Sequence, residues 1–262
     1  MWPAPTLISI AASFLMTSPS SPRTLIMTAT YNEIECLPYL VETIFQFVTD
    51  ADLLVVDDNS PDGTGRWCDE RCSQDPRVHC LHRSGKLGLG TAIIAGMRYA
   101  IEHGYDYVLN MDADFSHHPR YLPAMIVGME GDRQKPLDVM IGSRYVPGGG
   151  TVDWPLKRKV MSKGVNLYAR WLLGLKPRDC SGGYRCYRVD MLKKLDLDRV
   201  RSHGYSFQEE ILWMLKQKGA RIGETPILFA DREQGSSKIN SREAVNALGI
   251  ILRLGMKNWI GI

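Results

Sequence analysis

Two carboxylates one residue apart, Asp112 and Asp114, follow the apolar run Tyr107-Val108-Leu109-Asn110-Met111 and precede Ser116-His117-His118-Pro119. At the end of a strand such a pair aims into one crevice, where Mg²⁺ or Mn²⁺ can bridge protein oxygens and those of a diphosphate. A second acidic pair, Asp57-Asp58, ends another apolar run and opens the segment Asn59-Ser60-Pro61-Asp62-Gly63-Thr64. Pro61 and Gly63 suit a turn. Adjacent carboxylates ending a buried strand also need donors, and ribose hydroxyls or a base edge can supply them. Thr30-Tyr31-Asn32-Glu33 closes the first apolar run, where a dinucleotide-binding chain would carry GxGxxG. Polar side chains there can hold a base or ribose, and Asn32 also suits a helix cap. Gly85 to Thr91 leads into a helix whose first amides attract an anion. Lys86 favours that reading, while close helix packing would equally explain the glycines. His118, before Pro119, reads as structural, and His117 is not assigned to the ion.

These residues require a scaffold that brings them to one edge. Apolar runs bounded by turn residues alternate with amphipathic stretches: strand 24–30, helix 34–48, strand 53–57, helix 64–73, strand 78–81, helix 90–102 and strand 105–111. The alternation is βαβ grammar and predicts an α/β fold with a mostly parallel central sheet flanked by helices. Ligands of such sheets sit at the carboxyl ends of strands, so both acidic pairs should share one crevice. After strand 139–142 come a glycine-rich loop at 147–150, a basic helix at 156–173 and shorter irregular elements, which we assign to the acceptor side.

At 262 residues with 44% hydrophobic content, the chain can bury one sizeable core. A net charge of +3 and a pI near 8.5 are too mildly basic to imply a nucleic-acid partner. The six cysteines lack paired CxxC spacing and read as reduced thiols of a cytosolic chain. Cys68 and Cys72, one helical turn apart, read as packing residues, since no further zinc ligands are evident at suitable spacing. Residues 1–22 read as a disordered leader and 23–262 as one domain. Its last stretch, 244–262, carries Arg253 and Lys257 among apolar residues and suits an amphipathic helix lying on a membrane.

Tyr31-Asn32-Glu33, Val56 to Thr64, Gly85 to Thr91, Asp112-Ala113-Asp114-Phe115-Ser116-His117 and Gly142-Ser143-Arg144-Tyr145-Val146 occur in order. They are followed by Asp179-Cys180-Ser181-Gly182-Gly183-Tyr184-Arg185, Gly204-Tyr205-Ser206-Phe207-Gln208-Glu209-Glu210 and Arg232-Glu233-Gln234-Gly235-Ser236-Ser237-Lys238. Together they resemble the dolichyl (polyprenyl) phosphate mannose synthases, in family 2 of the GT-A glycosyltransferases, over residues 24–256.

The resemblance implies inverting transfer of mannose from GDP-mannose to a dolichyl or polyprenyl phosphate, with Mg²⁺ or Mn²⁺ as cofactor. It implies donor contacts from Thr30, Tyr31, Glu33, Asp57, Asp58, Lys86, Asp112, Ala113, Asp114, Arg232 and Lys238, with Asp112 and Asp114 at the metal. Some relatives place a further metal ligand where Ser116 stands. Arg144, Arg158 and Ser162 fall where the acceptor phosphate is held, and Asp114, Arg144 and Arg232 are the catalytic candidates. Glu209 and Glu210 are candidates for sugar hydroxyls. Arginine's planar fork suits phosphate oxygens. Lys157 and Lys159 beside Arg158 make a solvated face the alternative there, one that would itself favour anionic headgroups.

Two other activities use related residues: a polyprenyl phosphate glucosyltransferase fed by UDP-glucose, and a polysaccharide or protein glycosyltransferase, against which stands the lack of a QxxRW-like signature. A non-catalytic lipid-phosphate scaffold is a third alternative. Many synthases of this family carry spanning helices after the catalytic domain. The expectation here is a cytoplasmic chain peripheral on the membrane, through its last helix or a small membrane subunit.

Overall fold

The computed structural model describes residues 21–131, 135–202, 204, 206–230 and 241–260. Most of the expected leader, together with Tyr205, Arg232 and Lys238, lies outside the described residues. In chain order the elements are β1 (Thr24–Thr30), α1 (Leu37–Phe47), β2 (Asp52–Asp57), α2 (Thr64–Gln74), β3 (Val78–His82), α3 (Leu89–Glu102), β4 (Tyr107–Asp112) and α4 (Leu122–Gly128). They continue with β5 (Val139–Ser143), β6 (Gly150–Thr151), α5 (Leu156–Leu173), β7 (Arg185–Arg188), α6 (Val189–Leu192), α7 (Phe207–Gln217), β8 (Ile222–Pro226), β9 (Leu228–Phe229) and α8 (Ser241–Ile260).

Seven strands form one sheet in the order β3-β2-β1-β4-β7-β5-β8, and β6 and β9 make a separate ribbon. Within the sheet, β7 runs antiparallel to both β4 and β5, and the remaining neighbours pair in parallel. Successive side chains of a strand face opposite sides, and the core divides accordingly. Leu25, Met27, Leu54, Val56 and Val108 pack with residues of α3, α5, α7 and α8. Ile26, Leu53, Val55, Tyr107, Leu109 and Met111 pack with α1, α4 and Cys68 of α2. Burial on both faces explains why β1, β2 and β4 read as nearly continuous apolar runs.

Helix α1 starts at Leu37 rather than at residue 34. Asn32 adopts a left-handed φ of 61°, and Pro38 occupies the first turn, where its missing N–H costs no helical bond. The glycines before α3 serve geometry: Gly88 has a φ of 99°, and a Cβ on Gly90 would meet the Ser202 carbonyl at 2.8 Å and the Phe207 ring at 2.9 Å. A positive φ accounts for Gly88 and close packing for Gly90.

Candidate active site

The ends of β1, β2, β4 and β5 reach one edge of the sheet. Thr30 is in register with Asp57, and Ala29 with Asp112. Because β2 and β4 lie on opposite sides of β1, this edge is a topological switch point, where a crevice opens.

Both aspartates of the first pair find donors within the protein. Asp57 accepts from the Thr30 hydroxyl at 2.9 Å, the Ser60 amide at 3.0 Å and the Ser60 hydroxyl at 2.6 Å. Asp58 Oδ1 accepts from Arg83 at 2.6 Å. Burial raises the Asp58 carboxyl above its ordinary range even though the Arg83 cation pulls the other way. Ligand donors are thus not needed to explain this pair; Asp57 builds the turn that positions its neighbours. The first loop is tied to the same turn, with Asn32 and Glu33 amides donating to Ser60 and Thr64 hydroxyls at 3.0 and 3.1 Å. Above it the Lys86 ammonium sits 4.3 Å from the centre of the half-exposed Tyr31 ring, so these two expected donor residues form one wall.

At the end of β4, Asp112 is 30% exposed along its side chain, Ala113 is buried and Asp114 is half-buried. Asp114 Oδ1 accepts from both the amide and the hydroxyl of Ser116. The turn requires a φ of 60° at Phe115, a conformation that non-glycine residues adopt rarely and that gathers at functional sites. His117 is buried and accepts the Asp112 amide at Nδ1, 3.1 Å away. The same nitrogen lies 3.4 Å from Asp112 Oδ2. Burial lowers the imidazole's pKa, so the ring is neutral and the contact is no ion pair. His117 thus holds the Asp112 backbone.

Arg144, just past β5, forms a bidentate pair with the fully buried Asp179, Nε and Nη2 each donating at 2.7 Å. Its amide reaches Asp179 at 3.0 Å, and Nη2 also donates to Ser181 at 2.9 Å. Burial opposes the Asp179 charge, yet the Arg144 bonds hold its carboxyl below the usual range. Arg144, expected at the acceptor phosphate, is 9% exposed, with Nε and Nη2 engaged by Asp179 and Ser181. Ser162 on α5 accepts from the Tyr145 hydroxyl at 2.6 Å. One turn later Asn166 bonds the Ser162 carbonyl, the Ser181 hydroxyl and the Cys180 amide. Arg158 lies 4.0 Å above the Trp154 ring.

A row of rings joins the two halves. His117 stacks on Tyr184 and meets Phe229 edge-on, and Phe229 meets Trp154 edge-on. The Arg144 guanidinium lies 5.5 Å from the Trp154 centre and 5.6 Å from that of Phe229. The DxD segment and the Arg144–Arg158 cations therefore border one continuous wall. Sequence reasoning missed Arg83, Trp154, Asn166 and Phe229, and it quoted Asp179 without a role. Arg83 alone left a signal: it follows a strand parallel to β2, which puts it beside Asp57-Asp58.

A mostly parallel sheet whose carboxyl edge carries a paired aspartate turn and a DxD is the GT-A fold of a glycosyltransferase. The family model described as Glycosyl transferase family 2 matches residues 25–196, and the chain belongs to that family. It is 45% identical, over 92% of its length and 97% of the relative's, to an undecaprenyl-phosphate mannosyltransferase of Micrococcus luteus. A polyprenol monophosphomannose synthase of Mycolicibacterium smegmatis is 44% identical over 85% of this chain and 84% of its own. Among solved structures, the fold matches a Pyrobaculum calidifontis mannosyltransferase in complex with GDP-Man and Mn²⁺, at 16% identity and a TM-score of 0.57, covering 93% of this chain and 66% of that one. It also matches a Mycobacterium tuberculosis glucosyl-3-phosphoglycerate synthase in complex with Mn²⁺, UDP and glucosyl-3-phosphoglycerate, at 14% identity and a TM-score of 0.59, covering 90% and 80%.

Proposed function

We propose that the chain transfers mannose from GDP-mannose to a polyprenyl phosphate, with inversion at the anomeric carbon. The observation that carries the reading is 45% identity to a polyprenyl-phosphate mannosyltransferase along nearly the whole of both chains, combined with the DxD edge. The glucosyltransferase and scaffold alternatives are not favoured by these relatives.

Asp112 and Asp114 fit a hard divalent ion: they offer carboxylate oxygens at a partly open strand end, and Ser116 orients one of them. When bound, such an ion offsets the charge of the departing diphosphate. Tyr31, Glu33 and Lys86 are assigned to the donor nucleotide, with Thr30, Asp57 and Asp58 shaping its floor and Ala113 lining it. Arg232 and Lys238, outside the described residues, are assigned to the donor phosphates.

The acceptor phosphate is an anion near neutral pH and needs no strong base, so alignment for in-line attack supplies most of the rate. Arg158 and Ser162 are assigned to that phosphate. Arg144, fixed by Asp179, contributes a held positive charge beside it, placed before the reaction begins.

The lipid acceptor gives meaning to an outer face. Helix α5 exposes Leu156, Val160, Leu167 and Trp171, and α8, packed against it, exposes Leu248, Leu252, Met256 and Trp259. Lys157 and Lys163 flank the α5 stripe. No described helix is long and apolar enough to cross a membrane. We assign this face to the surface of an anionic bilayer, with the apolar stripes at the acyl boundary and the lysines at headgroups; a small membrane subunit is an alternative occupant.

Labelled mannose from GDP-mannose, with UDP-glucose in parallel, should appear in a short polyprenyl phosphate and disappear with EDTA. Transfer from UDP-glucose alone, or from neither donor, would overturn the assignment.

A further inference from the structure

Helix α2 and strand β3 pack together at the outer edge of the sheet, away from the DxD segment. Cys80 and His82, two residues apart, share a face of β3. His82 Nε2 lies 2.7 Å from Asp69 Oδ1 on α2, and His82 Nδ1 lies 4.0 Å from Cys80 Sγ. One ligand atom from each of Asp69, Cys80 and His82 falls within 4.8 Å of the others. Residue spacing alone does not reveal this cluster, because Asp69 on α2 meets Cys80 and His82 on β3 only once the two elements pack together.

The donor set differs in kind from the two carboxylates of β4. A thiolate, an imidazole and a carboxylate favour a borderline ion such as Zn²⁺ over Mg²⁺. In a tetrahedral Zn²⁺ site, bonds of 2.0–2.3 Å put neighbouring ligand atoms roughly 3.3–3.6 Å apart. A single ion takes one His82 nitrogen, and with the three donor atoms within 4.8 Å of one another, reaching those spacings takes side-chain rotations that move the donors by up to about 1 Å. Asp69 and His82 can make them, since their side chains are 64% and 47% exposed. Such an ion would replace the proton that His82 and Asp69 share. Cys80 is half-buried and carries no disulfide.

We propose that Asp69, Cys80 and His82 form a second metal site, separate from the DxD, that takes Zn²⁺ or a similar thiophilic divalent ion with water in the fourth position. The site adjoins the donor floor. A Cβ on Gly65 would sit 3.2 Å from the His82 ring and 3.1 Å from Asp57 Oδ2, and Arg83, the next residue, holds Asp58.

Co²⁺ titrated into the full reduced chain tests the proposal, because a sulfur-to-cobalt charge-transfer band reports a thiolate ligand and cannot arise from an all-oxygen DxD site. We expect a band saturating at one equivalent, bleached by Zn²⁺, retained in Asp114→Ala, lost in Cys80→Ser and weakened at least tenfold in His82→Ala. A chain with no such band, or one whose band survives Cys80→Ser and is unchanged by His82→Ala, overturns it. Circular dichroism of each variant separates loss of the site from loss of the fold.

Discussion

Arg144 and Asp179 meet through two side-chain bonds of 2.7 Å, and the Arg144 backbone amide adds a third contact to the same carboxylate. The pair joins the end of β5 to the loop before β7. Removing one partner of a buried pair leaves an uncompensated charge, which costs about 3–5 kcal/mol. Asp179→Asn should lower unfolding stability by that order in urea titration. The Asp179→Leu, Arg144→Met double variant should lose less than the two single changes summed, and strict additivity would show that the pair is not coupled.

Ser116 holds Asp114 Oδ1 through its hydroxyl. Outer-shell partners of metal-binding carboxylates typically affect metal affinity by about 10–100-fold. Ser116→Ala should raise the Mn²⁺ concentration for half-maximal activity about tenfold with little change in the donor KM at saturating metal. Asp114→Asn should reduce turnover by at least about 100-fold while the protein stays folded, as loss of several kcal/mol of metal assistance requires.

Glu209, buried in the first turn of α7, has one carboxylate oxygen without a hydrogen-bond partner among the described residues. Burial pushes its carboxyl up to about 7 from 4.5. Below pH 4.5 the group is neutral in both folded and unfolded chains. Between there and 7 the unfolded chain ionises first, so stability falls as pH rises, by a few kcal/mol at most. Glu209→Gln should therefore raise Tm at pH 8 relative to the parent and leave it nearly unchanged at pH 5. An equal shift at both values would place the effect elsewhere.

Leu167 and Trp171 stand outward on α5, 66% and 69% exposed. If that face meets lipid, Leu167→Glu with Trp171→Glu should cut flotation with anionic vesicles about tenfold or more, since burying such side chains is worth roughly 1.5–3 kcal/mol each. Donor binding in solution should not change. Unaltered flotation would remove the membrane assignment from this face.

Much of the frame was legible because strand ends coincide with chemical signals. The observed bounds of β1 and α5 match the expected ones, and β2 and β4 end at the predicted aspartates. Strand β7 escaped because Arg185-Cys186-Tyr187-Arg188 is short and flanked by charge, and its place between β4 and β5 depends on pairing with residues more than forty positions away. Buried Arg185 is accommodated there by bonds to the Gln208 and Cys180 carbonyls at 2.7 and 2.6 Å. The internal partners of these charged residues were hidden for the same reason: Thr30 beside Asp57, Arg83 beside Asp58 and Asp179 beside Arg144 are distant in sequence, and a charged residue does not announce an internal partner.

The most direct test is nuclear magnetic resonance of the isolated product formed from GDP-mannose and a short polyprenyl phosphate. A mannosyl phosphodiester with β configuration at the anomeric carbon is the predicted result, since one in-line displacement inverts the α-linked donor. An α-linked product, or mannose found on any group other than the lipid phosphate, would contradict it.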